Sequence, residues 1–108
     1  GADVGGPPDP GVAVEVLQIV REALNNVRKH SKASRVSLSL ASGGSCLEIG
    51  IADNGSGFAF SGAYSLDELE LLRLGPRSIM RRVRNLGGEF ILKSNPGQGS
   101  ELRIRVPA

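Results

Sequence analysis

Aromatic residues are nearly missing from this sequence, and so are the side chains that bind soft metals. Of its 108 residues, three are phenylalanine and one tyrosine; tryptophan is absent, and cysteine and histidine occur once each. The lone cysteine, Cys46, excludes an internal disulfide and any cysteine-built metal cluster. It opens an apolar run, so a buried structural thiol is expected there. With aromatics at 4%, aliphatic side chains must fill the core, and the 40% apolar content allows one core in one domain. No apolar run approaches the ~20 residues a membrane span needs, and no signal peptide is visible. The net charge of +2 is too small to argue for nucleic acid by itself. The opening GADVGGPPDP is Gly/Pro-rich and lacks an initiator methionine. It reads as a linker or loose arm over residues 1–11 of a longer polypeptide, with a single domain over 12–108.

What is present is periodic. Val12, Val16, Ile19, Val20, Ala23 and Val27 recur at helical spacing, which predicts a helix from Val12 to His30. SRVSLSL alternates, with Val36, Leu38 and Leu40 on one face, and CLEIGIAD alternates through Leu47, Ile49 and Ile51. With ASGGS as the turn between them, these two strands form a hairpin. NGSGFAFSGAYS is expected to be loop. Ser65 and Glu68 in SLDE form a capping box that starts a short helix over LDELELL. Gly75-Pro76 opens another helix, with Ile79, Val83 and Leu86 on one side and Gly87-Gly88 at its end. EFILKS and ELRIRV are two further strands joined by NPGQGS. One sheet covered on one face by helices is the simplest arrangement of these elements.

The stretch REALNNVRKH, residues 21–30, is unusual for a helix. Each Asn costs roughly 0.5 kcal/mol against Ala in a helix interior, so propensity does not explain the pair. Glu22 and Asn26 are four apart and stack along a line bordering the apolar stripe, with Lys29 on the same flank and His30 close to the buried face. An Asn oxygen is a hard ligand suited to Mg²⁺, and a lysine suits phosphate. Glu22 could act as a base or hold the metal's water. A solvated polar edge accounts for the same residues. DNGSGF, residues 53–58, follows a strand that is apolar up to Ala52, so Asp53 stands at a strand end. Gly55 and Gly57 allow backbone conformations that other residues forbid. Taken singly, DNGSG and NPGQGS are ordinary turn signals.

In order and at these spacings, the three segments resemble the ATP-binding catalytic domain of sensor histidine kinases. That domain lies within the GHKL superfamily of gyrase-like ATPases, and the likeness is nearest to the subfamily partnered with LuxR-type response regulators. The resemblance spans about Val12 to Pro107. REALNNVRKHSKASRV is similar to the family's N box, DNGSGF to its first glycine box and PGQGSELRIRVP to its last. It implies a Bergerat α/β sandwich: a two-layer α+β fold, a mixed sheet with helices on one face. It also implies ATP and Mg²⁺ as ligands. Asp53 would accept the adenine amino hydrogen bond, Asn26 would ligate Mg²⁺, and Glu22 would serve phosphoryl transfer as base or orienter. Lys29 and His30 would lie near the phosphates. Gly55, Gly57 and Phe58 would shape the base pocket, Gly75 and Arg77 the phosphate side, and Ser100 would support Asp53. The implied partners are a dimerisation and phospho-acceptor helical domain and, indirectly, a LuxR-type response regulator. The chain's only histidine occupies the N-box position, so the acceptor lies elsewhere. The implied setting is cytoplasmic, without membrane contact by this domain, in a parent that can itself be membrane-anchored.

The second glycine box departs from the family's pattern near GxGLxGM. Here the stretch is RLGPRSI, residues 73–79, in which only Gly75 remains. Pro76 lacks an N–H, Ser78 adds bulk where phosphate should approach, and Arg73 and Arg77 could compensate with charge. A degenerate module that binds ATP weakly and acts through partner contacts is therefore an alternative. Another is an anti-sigma serine kinase, which shares the Asn and Asp logic. A third is a basic interaction domain, because Arg77, Arg81 and Arg84 form one helical stripe. The lack of interleaved aromatics argues against nucleic acid as its ligand.

Overall fold

The computed structural model describes residues 9–107. The first helix, α1 (Pro10–Asn26), starts at a proline because the N–H that proline lacks would have no partner in a first turn. Asp9 caps it, its Oδ1 accepting the Gly11 N–H at 2.8 Å. Pro10 and Gly11, expected in the arm, are thus helical; residues 1–8 of that arm lie outside the described residues. Val16, Ile19, Val20 and Ala23 make the buried stripe. After Asn26 the helix widens into a π-type turn, Val27–Ser31, and Lys32 ends it with a left-handed φ of 54°.

Strands β1 (Val36–Gly43) and β2 (Cys46–Asp53) form the expected hairpin, with Leu38 opposite Ile51. Next comes β3 (Gly62–Ser65), in a stretch expected to be loop. Four residues that include a glycine carry no period-two signal, and pairing with β4 (Glu89–Asn95) makes the segment a strand, Tyr64 lying opposite Leu92. Between them lie α2 (Leu66–Leu72) and α3 (Arg77–Asn85). The capping box at Ser65 is present: Glu68 N–H donates to Ser65 Oγ at 3.2 Å, and Ser65 N–H to Glu68 Oε1 at 2.8 Å. The last strand, β5 (Gly99–Pro107), completes the order β1-β2-β5-β4-β3.

Every pairing is antiparallel, where the resemblance implied a mixed sheet. The reason lies in the connections. Tight turns reverse the chain between β1 and β2 and between β4 and β5. The helices α2 and α3 lead out and back, so that Ser65 at the end of β3 meets Ile91 near the start of β4.

One face of the sheet is covered. Ile49 and Ile51, Phe90 and Leu92, and Leu102, Ile104 and Val106 alternate onto it and pack under Leu69 of α2 and Ile79, Met80 and Val83 of α3. Each of the larger side chains contributes about 1.5–3 kcal/mol relative to exposure. The other face carries Glu48, Glu101, Arg103 and Arg105, paired at 3.1–3.2 Å. Edge strand β1 is exposed along its whole length, so Leu38 and Leu40 stay uncovered. Cys46, expected to be buried, is only half-buried because it begins β2 beside the turn.

Candidate functional site

A cavity of about 380 Å³ opens between the end of α1, the start of α3 and the sheet. Its walls are apolar: Ala23 and Val27, Ile51, Leu92 and Leu102, Pro76 and Ile79, with Phe58 among them. Three polar side chains line it as well, Asn26, Asp53 and Ser100. An apolar cleft with a few convergent polar groups has the composition of a small-molecule site. A broader depression of about 520 Å³ on the open face of the sheet has salt-bridged Glu48, Glu101, Arg103 and Arg105 in its lining and no convergent group.

Asp53 is the fixed point of the cleft. The register of β2 on β5 sets it opposite Ser100, whose Oγ donates to Asp53 Oδ2 at 2.8 Å. The Gly55 N–H donates to Oδ1 at 2.8 Å. Both carboxylate oxygens are thereby oriented, and each keeps a lone pair free to accept from a ligand.

The loop after Asp53 is held from two sides. On one side, Asn54 Oδ1 accepts the N–H groups of Ser34 and Arg35 at 3.0 and 2.9 Å, which ties the segment after α1 to the end of β2. On the other, the turn between β4 and β5 packs against the loop. Gly97 N–H donates to Ser56 O at 2.7 Å, and Phe58 N–H to the fully buried Ser94 Oγ at 2.9 Å. Phe58 stacks on Phe60 at 5.4 Å, and Phe60 meets Tyr64 edge-on at the same distance. Two glycines make this closeness possible. A Cβ at Gly57, φ 72°, would stand 2.8 Å from Gly99 O, and one at Gly99, φ 123°, would overlap the Asp53 carbonyl. Sequence reasoning passed over Asn54, Ser94 and Gly99. For Ser94 a signal existed: it is a hydroxyl in the buried phase of FILKS.

A second, adjoining cavity of about 390 Å³ is lined by Glu22, Asn25, Asn26 and the start of α3, Pro76 to Ile79. Asn26 therefore borders both spaces, and its side chain makes no hydrogen bond among the described residues. Glu22 is engaged by α3: Ser78 Oγ lies 2.9 and 3.1 Å from its two oxygens, and Arg82 Nε 3.4 Å from Oε1. Arg82 also reaches Glu15 at 2.9 Å. The hydrogen bond to Glu15 raises the Arg82 pKa above its ordinary value; burial opposes it, and the charge and hydrogen bond of Glu22 add to the rise. The hydroxyl of Ser78 is thus turned to Glu22, while the first N–H groups of α3 have no intrahelical acceptor and suit an anion.

The remaining expected residues divide. Gly57, Phe58 and Ser100 line the first cavity, and Arg77 lines the second. Gly55 is buried behind Asp53. Lys29 is exposed on the π-type turn and lines neither space. Gly75, φ 92°, lines neither space, and a Cβ there would meet Met80 and Leu69. The His30 side chain lies outside the described residues. The arginine stripe is divided as well: Arg84 bonds Asp67 and Glu70 at 2.6 Å, whereas Arg77 and Arg81 are exposed.

The donor set fits magnesium held mainly by its ligand. Asn26 offers one neutral hard oxygen, and no cluster of three metal-ligating side chains exists among the described residues. A divalent ion here would complete its shell with phosphate and water.

A family profile described as histidine kinase-, DNA gyrase B- and HSP90-like ATPase matches residues 11–108. The chain is 35% identical over 97 residues to the sensor histidine kinase LiaS of Bacillus subtilis, covering 90% of this chain and 25% of that protein. It is 31% identical over 98 residues to the signal transduction histidine-protein kinase/phosphatase DegS of Brevibacillus brevis, covering 89% and 23%. It thus spans about a quarter of the length of these relatives. The histidine kinase domain of the Erythrobacter litoralis EL346 blue-light activated histidine kinase shares the fold, with a TM-score of 0.66 at 22% identity over 88% of this chain and 44% of that one. Among the described residues no helix is long and apolar enough to cross a membrane. The chain belongs to the histidine kinase-, DNA gyrase B- and HSP90-like ATPase family, as the ATPase domain found in sensor histidine kinases.

Proposed function

We propose that this domain binds Mg-ATP and delivers the γ-phosphoryl group to a histidine on a separate dimerisation domain, in a two-component kinase whose output is a LuxR-type response regulator. The observation that carries the reading is the Asp53 carboxylate, oriented by Gly55 and Ser100 in an apolar cleft that Asn26 also lines. Asp53 accepts the adenine amino hydrogen bond, while Gly57 and Phe58 bound the base. The triphosphate extends past Asn26 into the adjoining space, where the start of α3 and Arg77 supply positive potential, with Lys29 exposed on the turn beyond. Asn26 would hold the magnesium, which when bound would supply charge neutralisation to the phosphates.

In the transfer step the lone pair of an acceptor imidazole nitrogen forms the new N–P bond. The bond from the γ-phosphorus to the bridging oxygen breaks, and its electron pair leaves with ADP. The proton on the other ring nitrogen passes to the Glu22 carboxylate.

Calorimetric titration with ATP, with and without Mg²⁺, tests the reading. Mg²⁺ should tighten binding. Asp53→Ala should weaken it by about 10- to 100-fold, the worth of a hydrogen bond to a charged group. No heat at millimolar ATP would refute the nucleotide site. Tight binding without transfer to an added histidine domain would reduce the function to nucleotide binding.

A further inference from the structure

We propose that Ser78 is a positioning residue for Glu22, holding its carboxylate toward the phosphate-side cavity from the neighbouring helix. The proposal rests on the role given to Glu22 above. It answers why a serine stands where the family's box has glycine.

Glu15 and Glu22 are seven residues apart on α1, two turns along one face. Ser78 and Arg82 are four apart on α3, one turn along one face. Where the stripes meet, Ser78 Oγ is within 2.9 and 3.1 Å of the Glu22 oxygens, Arg82 Nε is 3.4 Å from Oε1, and Arg82 Nη1 is 2.9 Å from Glu15. Arg82 is therefore not free to swing away, because Glu15 anchors its other end. The Glu22 side chain is 24% exposed, so its partners, more than solvent, set its direction. A glutamate has several rotatable bonds, and one left unheld at the mouth of a cavity would sample many orientations. Two tethers from α3 restrict it while Asn26, one turn further along α1, stays unengaged on the rim. Reacting groups that are pre-oriented in this way supply a large share of catalysis. The serine also keeps its backbone N–H at the start of α3, available to phosphate.

The test measures transfer from Mg-ATP to a histidine-bearing helical domain added in trans, with ATP affinity and melting temperature measured in parallel. The variants are Ser78→Ala, Ser78→Thr, Glu22→Gln and the double variant Ser78→Ala/Glu22→Gln. Ser78→Ala is expected to lower kcat by about 10- to 100-fold with KM for ATP within about twofold. Ser78→Thr, which keeps the hydroxyl, should restore most of the rate. In the Glu22→Gln background Ser78→Ala should cost nothing more, because it acts only through Glu22. A wild-type kcat for Ser78→Ala beside a slow Glu22→Gln would overturn the positioning role and leave the proposed function standing. So would a loss of melting temperature and ATP affinity with kcat unchanged, which is the signature of a purely structural contact. A wild-type rate for Glu22→Gln would remove the role of Glu22 itself, and the proposal with it.

Discussion

Replacing Gly99 by alanine tests whether the cleft depends on backbone touching backbone at the β2–β5 junction. At φ 123° an alanine is strained whatever the space, and its Cβ would overlap the Asp53 carbonyl oxygen and stand 3.0 Å from Asn54 Cα. Both obstacles are main chain, so no side chain can rotate aside. β5 must move away from β2 at the point where Ser100 bonds Asp53. Backbone strain costs about 1–3 kcal/mol, and the lost hydrogen bond to a charged group about 1.5–3 kcal/mol more. Gly97 is the control. Its φ is 82° and nothing lies within 4 Å of its added Cβ, so alanine there carries only the backbone term, about 1–2 kcal/mol. For a domain of this size, thermal melts followed by circular dichroism should show a fall of about 5–10 °C for Gly97→Ala and about 15 °C or more for Gly99→Ala. ATP affinity should fall only for Gly99→Ala. Melting points within about 3 °C of each other would refute the contact argument, since the extra terms at Gly99 predict several times that gap.

Three further outcomes are expected. Ser94→Ala leaves the half-buried Phe58 N–H without its acceptor, so stability should fall by about 1–3 kcal/mol in urea titration. Hydrogen exchange in that variant should quicken over residues 54–60. Ser65→Ala removes half of the α2 capping box, so a loss of about 1 kcal/mol is expected, with ATP affinity unchanged because α2 lines neither cavity. Leu71 is 84% exposed, so Leu71→Ser should leave stability within about 0.5 kcal/mol. A larger drop would mean that α2 is packed differently.

Much of this protein was decided by local pattern. Apolar residues at helical spacing made α1 and α3, alternation made β1, β2, β4 and β5, and the Ser65–Glu68 box started α2, because these signals act within a few residues of the chain. The likeness of three short segments to a known family drew attention to Glu22, Asn26 and Asp53. What sequence could not supply was whatever depends on a distant partner. β3 exists because β4 pairs with it, and that pairing is antiparallel because α2 and α3 return the chain to the end it left. Gly99 matters because Asp53 lies against it, and Ser94 because a loop 36 residues away donates to it. Ser78 read as an obstacle to phosphate until the packing of α3 on α1 turned its hydroxyl to Glu22. Periodicity and turn chemistry are local, so one strand of text carries them. Register, close approach and hydrogen bonds between distant residues are fixed only when the chain folds back on itself.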